Sequence, residues 1–135
     1  MIYSLGSWEE GNVKGRFVVQ EHDASHLHWD FRLEMDGVLK SWAVPKKPPT
    51  RPGLRRLAVQ VEDHPLDYIS FEGTIPEGEY GAGTVEIWDA GYFTLESRKP
   101  DKLVFELVGG KMKGRYTLVH FTEKPENWLL FKTKG

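Results

Sequence analysis

Apolar and polar residues alternate strictly from Leu27 to Met35. Leu27, Trp29, Phe31, Leu33 and Met35 take one parity, and His28, Asp30, Arg32 and Glu34 the other. A period of two marks a β-strand with one face turned toward a core. Side chains two apart on such a strand share a face, roughly 7 Å apart, so His28, Asp30 and Arg32 are expected side by side. Asp36-Gly37 follows, a two-residue hairpin signal, and VLKSWAV is expected to return antiparallel to the first strand. Pro45 stops it, because proline has no amide hydrogen for the ladder. Upstream, residues 16–20 read as a strand, and the weakly patterned residues 1–15 as a flexible arm or a short lead-in.

Residues 56–62 (RLAVQVE) alternate again, with Leu57, Val59 and Val61 opposite Arg56, Ala58, Gln60 and Glu62, until Asp63-His64-Pro65 breaks the run. Residues 66–72 (LDYISFE) read as a short element. Residues 73–83 (GTIPEGEYGAG) carry four glycines. They lack the GxxxxGK[ST] phosphate-loop pattern and read as a tight loop whose backbone passes close to a neighbour. Two hairpins are expected next, 84–88 with 92–96 over Asp89-Ala90-Gly91, and 103–108 with 115–121 over residues 109–114. Residues 128–132 (WLLFK) close the chain. About eight short strands, glycine-rich turns and no three-turn amphipathic helix predict a mainly β fold. The expected architecture is a single-domain antiparallel β-barrel, closed or partly open, with few short helices; closure is favoured because open edges invite aggregation.

Composition narrows the class. With 135 residues, 39% of them hydrophobic and 28% charged, the chain has the size and makeup of one globular domain over 1–135. Cysteine is absent, which excludes disulfides and thiolate metal sites and fits an intracellular, cytoplasmic protein without requiring it. The opening residues, MIYSLGSWEE, lack the pattern of a signal peptide, and no apolar run reaches the length of a membrane span. A net charge of −2 counts mildly against non-specific nucleic-acid binding. Its distribution counts the other way. Residues 46–56 (KKPPTRPGLRR) hold five basic residues and no acidic one, which makes either a patch for a polyanion or a solvated loop.

The polar face of the 27–35 strand carries the candidate chemistry. His28 and Asp30 offer a neutral nitrogen and an anionic oxygen to a divalent metal. Arg32 is a fixed cation whose fork suits phosphate oxygens. His22 reaches the same ion if the chain turns at Asp23-Ala24-Ser25. The residues alone leave two readings open, a metal-and-phosphate face or an ordinary solvated strand face. A cupin-like oxygenase or isomerase is a further reading, from His26-x-His28, Glu34 and Pro76-x-Gly78. It needs His26 and Glu34 as ligands, and its spacing is wrong.

Three longer stretches, QEHDASHLHWDFRLEMDGVLKSWAVPK, RLAVQVEDHPLDYISFEGTIPEGEYGAGTVEIWD and ENWLLFK, closely resemble the 3′-phosphoesterase domain found at the front of bacterial DNA ligase D and as stand-alone proteins. The resemblance implies that His22, His28 and Asp30 bind a divalent metal, best served by Mn²⁺, with Zn²⁺ or Co²⁺ as other candidates. It implies that Arg32 and His64 contact the scissile phosphate, completing the catalytic set. Gln20, Lys46, Arg56, Glu62 and Tyr68 take supporting, substrate-binding roles. His26 falls at a variable position and His120 matches nothing, so both read as structural or surface residues.

The implied activity is trimming of nucleic-acid 3′ ends in DNA repair by non-homologous end joining. A terminal (ribo)nucleoside is removed from a primer-template to leave a 3′-phosphate. That phosphate is then removed to leave a 3′-hydroxyl for a separate ligase or polymerase. The family's longer N-terminal arm assists the second step, and only residues 1–15 precede the shared block here, so the first step is the firmer expectation. A non-catalytic end-binding module is the remaining alternative, and retention of every motif position argues against it.

Overall fold

In the computed structural model, which describes residues 13–134, nine antiparallel strands follow one another. They are β1 (Val13–Asp23), β2 (Leu27–Met35), β3 (Val38–Val44), β4 (Arg55–His64), β5 (Gly73–Ile75), β6 (Gly83–Lys99), β7 (Lys102–Gly109), β8 (Lys113–His120) and β9 (Asn127–Lys132). One 3-10 turn, Leu66–Ser70, is the sole helical element among the described residues. The neighbours run β1-β2-β3-β4-β9-β8-β7-β6, and β6 pairs back onto β1. Eight strands thus close into a barrel, and β5 adds a short ninth strand on β6. Residues 13–15, expected in the lead-in, belong to β1; the rest of that expected arm lies outside the described residues.

Local chemistry sets the β2–β3 hairpin. Asp36 and Gly37 both take positive φ, 59° and 78°, as a two-residue type I′ turn requires. The turn fixes the register Met35↔Val38 and Phe31↔Trp42. Trp29, Phe31, Leu33 and Met35 consequently point into the barrel, none more than 6% exposed. Phe31 stacks on Phe105 at 5.9 Å, and Phe105 on Tyr116 at 6.5 Å, an aromatic column from β2 through β7 to β8. Burying side chains of this size contributes about 1.5–3 kcal/mol each. The Tyr116 hydroxyl donates to the Pro49 carbonyl at 2.7 Å, which ties the basic loop to the core; burial pushes the pKa of this phenol up.

Residues 84–96 do not form the expected hairpin, because β6 runs through them unbroken. Asp89, Ala90 and Gly91 pair with Val19, Val18 and Phe17 of β1. Turn-type residues stand here for long-range reasons. A Cβ on Gly91 would lie 2.0 Å from the Val108 carbonyl oxygen. The buried Asp89 carboxylate accepts the N–H groups of Gly110, Lys111 and Met112 at 2.8–3.0 Å, capping the β7–β8 turn. In β4 the expected alternation holds, with its smallest member turned in. Ala58 is fully buried, where Trp42 and Trp128 meet edge to face at 6.0 Å.

Candidate metal and phosphate site

The outward faces of β1 to β4 meet beneath the 3-10 turn and the loop that follows β5. His22 pairs with His28, Gln20 with Asp30, and Arg32 lies between Val18 and Ser41. This polar face is not solvated. Gln20 and Ser41 are 0% exposed, Arg32 3% and Asp30 6%. Buried polar groups must be matched, and these are. Gln20 Nε2 donates to the Tyr68 and Phe71 carbonyls at 2.9 and 3.2 Å, which fastens the 3-10 turn down as a cover. Its Oε1 accepts from Arg32 Nε at 2.6 Å. Because Arg only donates and carbonyls only accept, no other orientation of the amide satisfies all three bonds. Arg32 Nη1 also donates to Ser41 Oγ at 2.8 Å.

His64 joins this face through a β-bulge. Val59 and Val61 already alternate onto it, which would turn residue 64 the other way. Between the pairs Ser41↔Val61 and Leu39↔His64, β4 carries one extra residue, and the parity flips. His64 Nδ1 then lies 3.1 Å from Arg32 Nη1 and 3.1 Å from the Glu62 carbonyl. The His64 ring packs on Tyr68 at 5.0 Å, and the Arg32 guanidinium carbon sits 5.1 Å over the Tyr68 ring. Burial, and then the Arg32 charge, hold the His64 pKa below the usual histidine value. The imidazole is therefore neutral at pH 7. Where its Nδ1 accepts from Arg32, its proton sits on Nε2.

His22, His28 and Asp30 each offer one ligand atom, all within 4.8 Å of one another. His22 Nδ1 is 3.5 Å and His28 Nε2 3.2 Å from the Asp30 carboxylate. The other nitrogen of each ring is tethered to backbone. His22 Nε2 donates to the Gly81 carbonyl at 2.7 Å, and His28 Nδ1 to the His26 carbonyl at 3.0 Å. Such tethers set the tautomer and aim the remaining lone pair. Two imidazole nitrogens and a carboxylate brought this close make a possible site for a divalent ion, to which this donor set is suited. The hydrogen bond to Asp30 raises the His28 pKa. Burial alone would raise the pKa of Asp30, but His28, Arg32 and His22 together outweigh it and hold the carboxyl below its usual range. Burial lowers the Arg32 pKa, and Asp30 opposes that shift.

The resulting cleft, about 370 Å³, has His22, His28, Asp30, Arg32, Glu62, His64, Tyr68, Tyr80 and Gly81 among its lining residues. Lys46 and Arg56 are not among the lining residues; Arg56 Nε donates to the Lys47 carbonyl at 2.8 Å and braces the basic loop. His26 is exposed, and Glu34 is held by Arg16 at 2.9–3.0 Å, so the cupin-like ligand pair is not assembled. His120 is tied to the Lys124 carbonyl at 2.7 Å, as a structural strand residue would be. Sequence reasoning missed Ser41, Tyr80 and Gly81. The β3 parity could have found Ser41. The glycine density of residues 73–83 did signal a close backbone approach, and His22 is what that backbone approaches.

Residues 20–120 match the family model described as DNA Ligase D 3′-phosphoesterase domain. The chain belongs to this family. It is 54% identical over 126 residues to the multifunctional non-homologous end joining protein LigD of Pseudomonas aeruginosa, covering 88% of this chain and 15% of that protein. It is 48% identical over 130 residues to the multifunctional non-homologous end joining DNA repair protein LigD of Mycobacterium tuberculosis, covering 93% and 16%. The LigD of Mycolicibacterium smegmatis matches at 48% over 130 residues, covering 88% and 17%. The chain thus spans about a sixth of the length of these relatives. The segment matching the 3′-phosphoesterase family contains every cleft residue named above. Among the described residues no helix is long and apolar enough to cross a membrane.

Proposed function

We propose that this 3′-phosphoesterase-family chain is a divalent-metal-dependent hydrolase acting on the 3′ ends of DNA during end joining. It removes a terminal (ribo)nucleoside to leave a 3′-phosphate, and then removes that phosphate. One observation carries the reading: two imidazoles tethered from behind by backbone carbonyls converge on a buried carboxylate beside a buried guanidinium. A divalent ion on His22 Nδ1, His28 Nε2 and Asp30, with Mn²⁺ expected, would neutralise phosphate charge and make a water molecule more acidic.

The remaining work falls to the chain's own groups. Arg32 Nε and Nη1 are occupied by Gln20, Ser41 and His64, and Nη2 lies 3.5 Å from Asp30. Nη2 is thus the edge left for a phosphate oxygen. A bidentate grip would require Arg32 to release Ser41 or His64. Neutral His64 presents an Nε2–H donor, which stabilises charge that builds on the phosphoryl oxygens. Tyr68 backs both groups, and Lys46 and Arg56 extend the positive field to the strand outside the cleft.

The test is a 5′-labelled primer-template ending in a 3′-ribonucleotide, incubated with the chain and Mn²⁺. A product one nucleoside shorter with a 3′-phosphate is expected, followed by a 3′-hydroxyl end. An unchanged strand overturns the reading.

A further inference from the structure

Tyr80 stands at the cleft and is 88% exposed, while the other exposed large apolar residues among those described lie between 37% and 65%. Among the described residues it makes no ring contact or hydrogen bond. The other tyrosine lining the cleft is already engaged. Tyr68 stacks on Phe71 at 5.0 Å and meets both His64 and Arg32.

The loop that carries Tyr80 is pinned. The Gly81 carbonyl accepts from His22 Nε2 at 2.7 Å, one residue from Tyr80. At Gly83, a Cβ would lie 2.2 Å from the Asp23 carbonyl oxygen, so the loop closes hard onto the β1–β2 connection. Two turns, Glu79 N to Pro76 O at 3.3 Å and Ala82 N to Glu79 O at 3.1 Å, shape the tip. An aromatic face held out at the edge of a phosphate site, with backbone fixed to a candidate metal ligand, is built to receive something flat. The loop's charge decides what. Residues 76–83 carry Glu77 and Glu79 and no Lys or Arg, which disfavours a phosphate there and leaves a neutral ring.

We infer that Tyr80 is a stacking platform for the nucleobase of a nucleotide flanking the scissile phosphate. The inference rests on the proposed 3′-end activity. Base–aromatic stacking is worth about 1–3 kcal/mol per base, and it selects for a nucleobase without selecting which one. An end bearing an abasic sugar should then dock poorly although its phosphate is intact.

The experiment compares wild type with Tyr80→Ala, Tyr80→Phe and Tyr80→Trp. Three 3′-ended primer-templates are used: intact, abasic at the last nucleotide, and abasic at the one before. Binding is read by fluorescence anisotropy in EDTA, and trimming by KM and kcat in Mn²⁺. Tyr80→Ala should weaken binding and raise KM about 5- to 150-fold on the intact end with kcat nearly unchanged, while Phe and Trp retain wild-type values. One abasic substrate should weaken wild type equally and add nothing to Tyr80→Ala, and it identifies the stacked base. Unchanged binding and KM in Tyr80→Ala overturn the stacking role while trimming survives. A penalty that persists on both abasic ends overturns it as well. Base-dependent binding without trimming by wild type keeps the platform and removes the activity. No binding and no trimming by wild type removes both.

Discussion

Arg32 and His64 are in contact, Nη1 to Nδ1 at 3.1 Å, although a whole strand lies between their own. The contact exists because β4 gains one residue between Val61 and His64, which turns an imidazole destined for the other face toward the guanidinium. A donor pair results, and partial burial, reinforced by the Arg32 charge, lowers the histidine's pKa and keeps it neutral.

His64→Ala should therefore cost activity far more than stability. Loss of one donor aimed at developing charge lowers kcat by about 10²–10³-fold. The half-buried ring leaves little packing to lose, so the melting temperature should stay within a few degrees of wild type. Trimming rates and a thermal melt of the same preparation check both halves.

Gln20→Ala should do the reverse at first sight, and then both. It strips Arg32 Nε of its acceptor and the Tyr68 and Phe71 carbonyls of their donor. Hydrogen bonds to a charged group contribute about 1.5–3 kcal/mol, so urea denaturation should show a loss of about 2–3 kcal/mol. Trimming should fall too, because the guanidinium loses its anchor and the covering turn its fastening.

Legibility in the sequence followed range. The strand Leu27–Met35, its Asp36-Gly37 turn and the return through Val44 are visible because parity and turn chemistry agree within twenty residues. The closed barrel follows from the count and spacing of such strands. Asp89-Ala90-Gly91 misleads because the partners that explain it, β1 and the β7–β8 turn, are distant in the chain. The burial of Gln20, Asp30 and Arg32 is equally invisible locally, since the cover comes from residues 65–82. His22, His28, Asp30 and Arg32 stand out by residue type and spacing. His64, Gln20 and Tyr68 came with the family resemblance, because a bulge and a 3-10 turn leave no periodic signal.

Asp89→Ala should separate fold from site. Three backbone N–H groups lose their acceptor, and unmatched buried donors cost about 1–3 kcal/mol each before relaxation. A loss of about 2–4 kcal/mol in urea is expected, with the affinity for Mn²⁺ unchanged in the folded protein. Altered metal affinity would show that the β7–β8 end of the barrel is coupled to the cleft.

An ion held by the folded state alone must stabilise it. At a free concentration of 100 times its dissociation constant, Mn²⁺ should add about 2.7 kcal/mol. The melting temperature should rise with Mn²⁺, return in EDTA, and no longer respond in His28→Ala. EDTA should also stop trimming. A melt indifferent to Mn²⁺, with turnover in EDTA, would remove the ligand set.

Crystals of the chain soaked in Mn²⁺ and measured for anomalous scattering at the manganese edge give the most direct test. One strong peak is predicted, in contact with His22 Nδ1, His28 Nε2 and Asp30, with Arg32 Nη2 facing the same cavity. A peak elsewhere, or none at these three atoms while Mn²⁺ supports trimming, would contradict it.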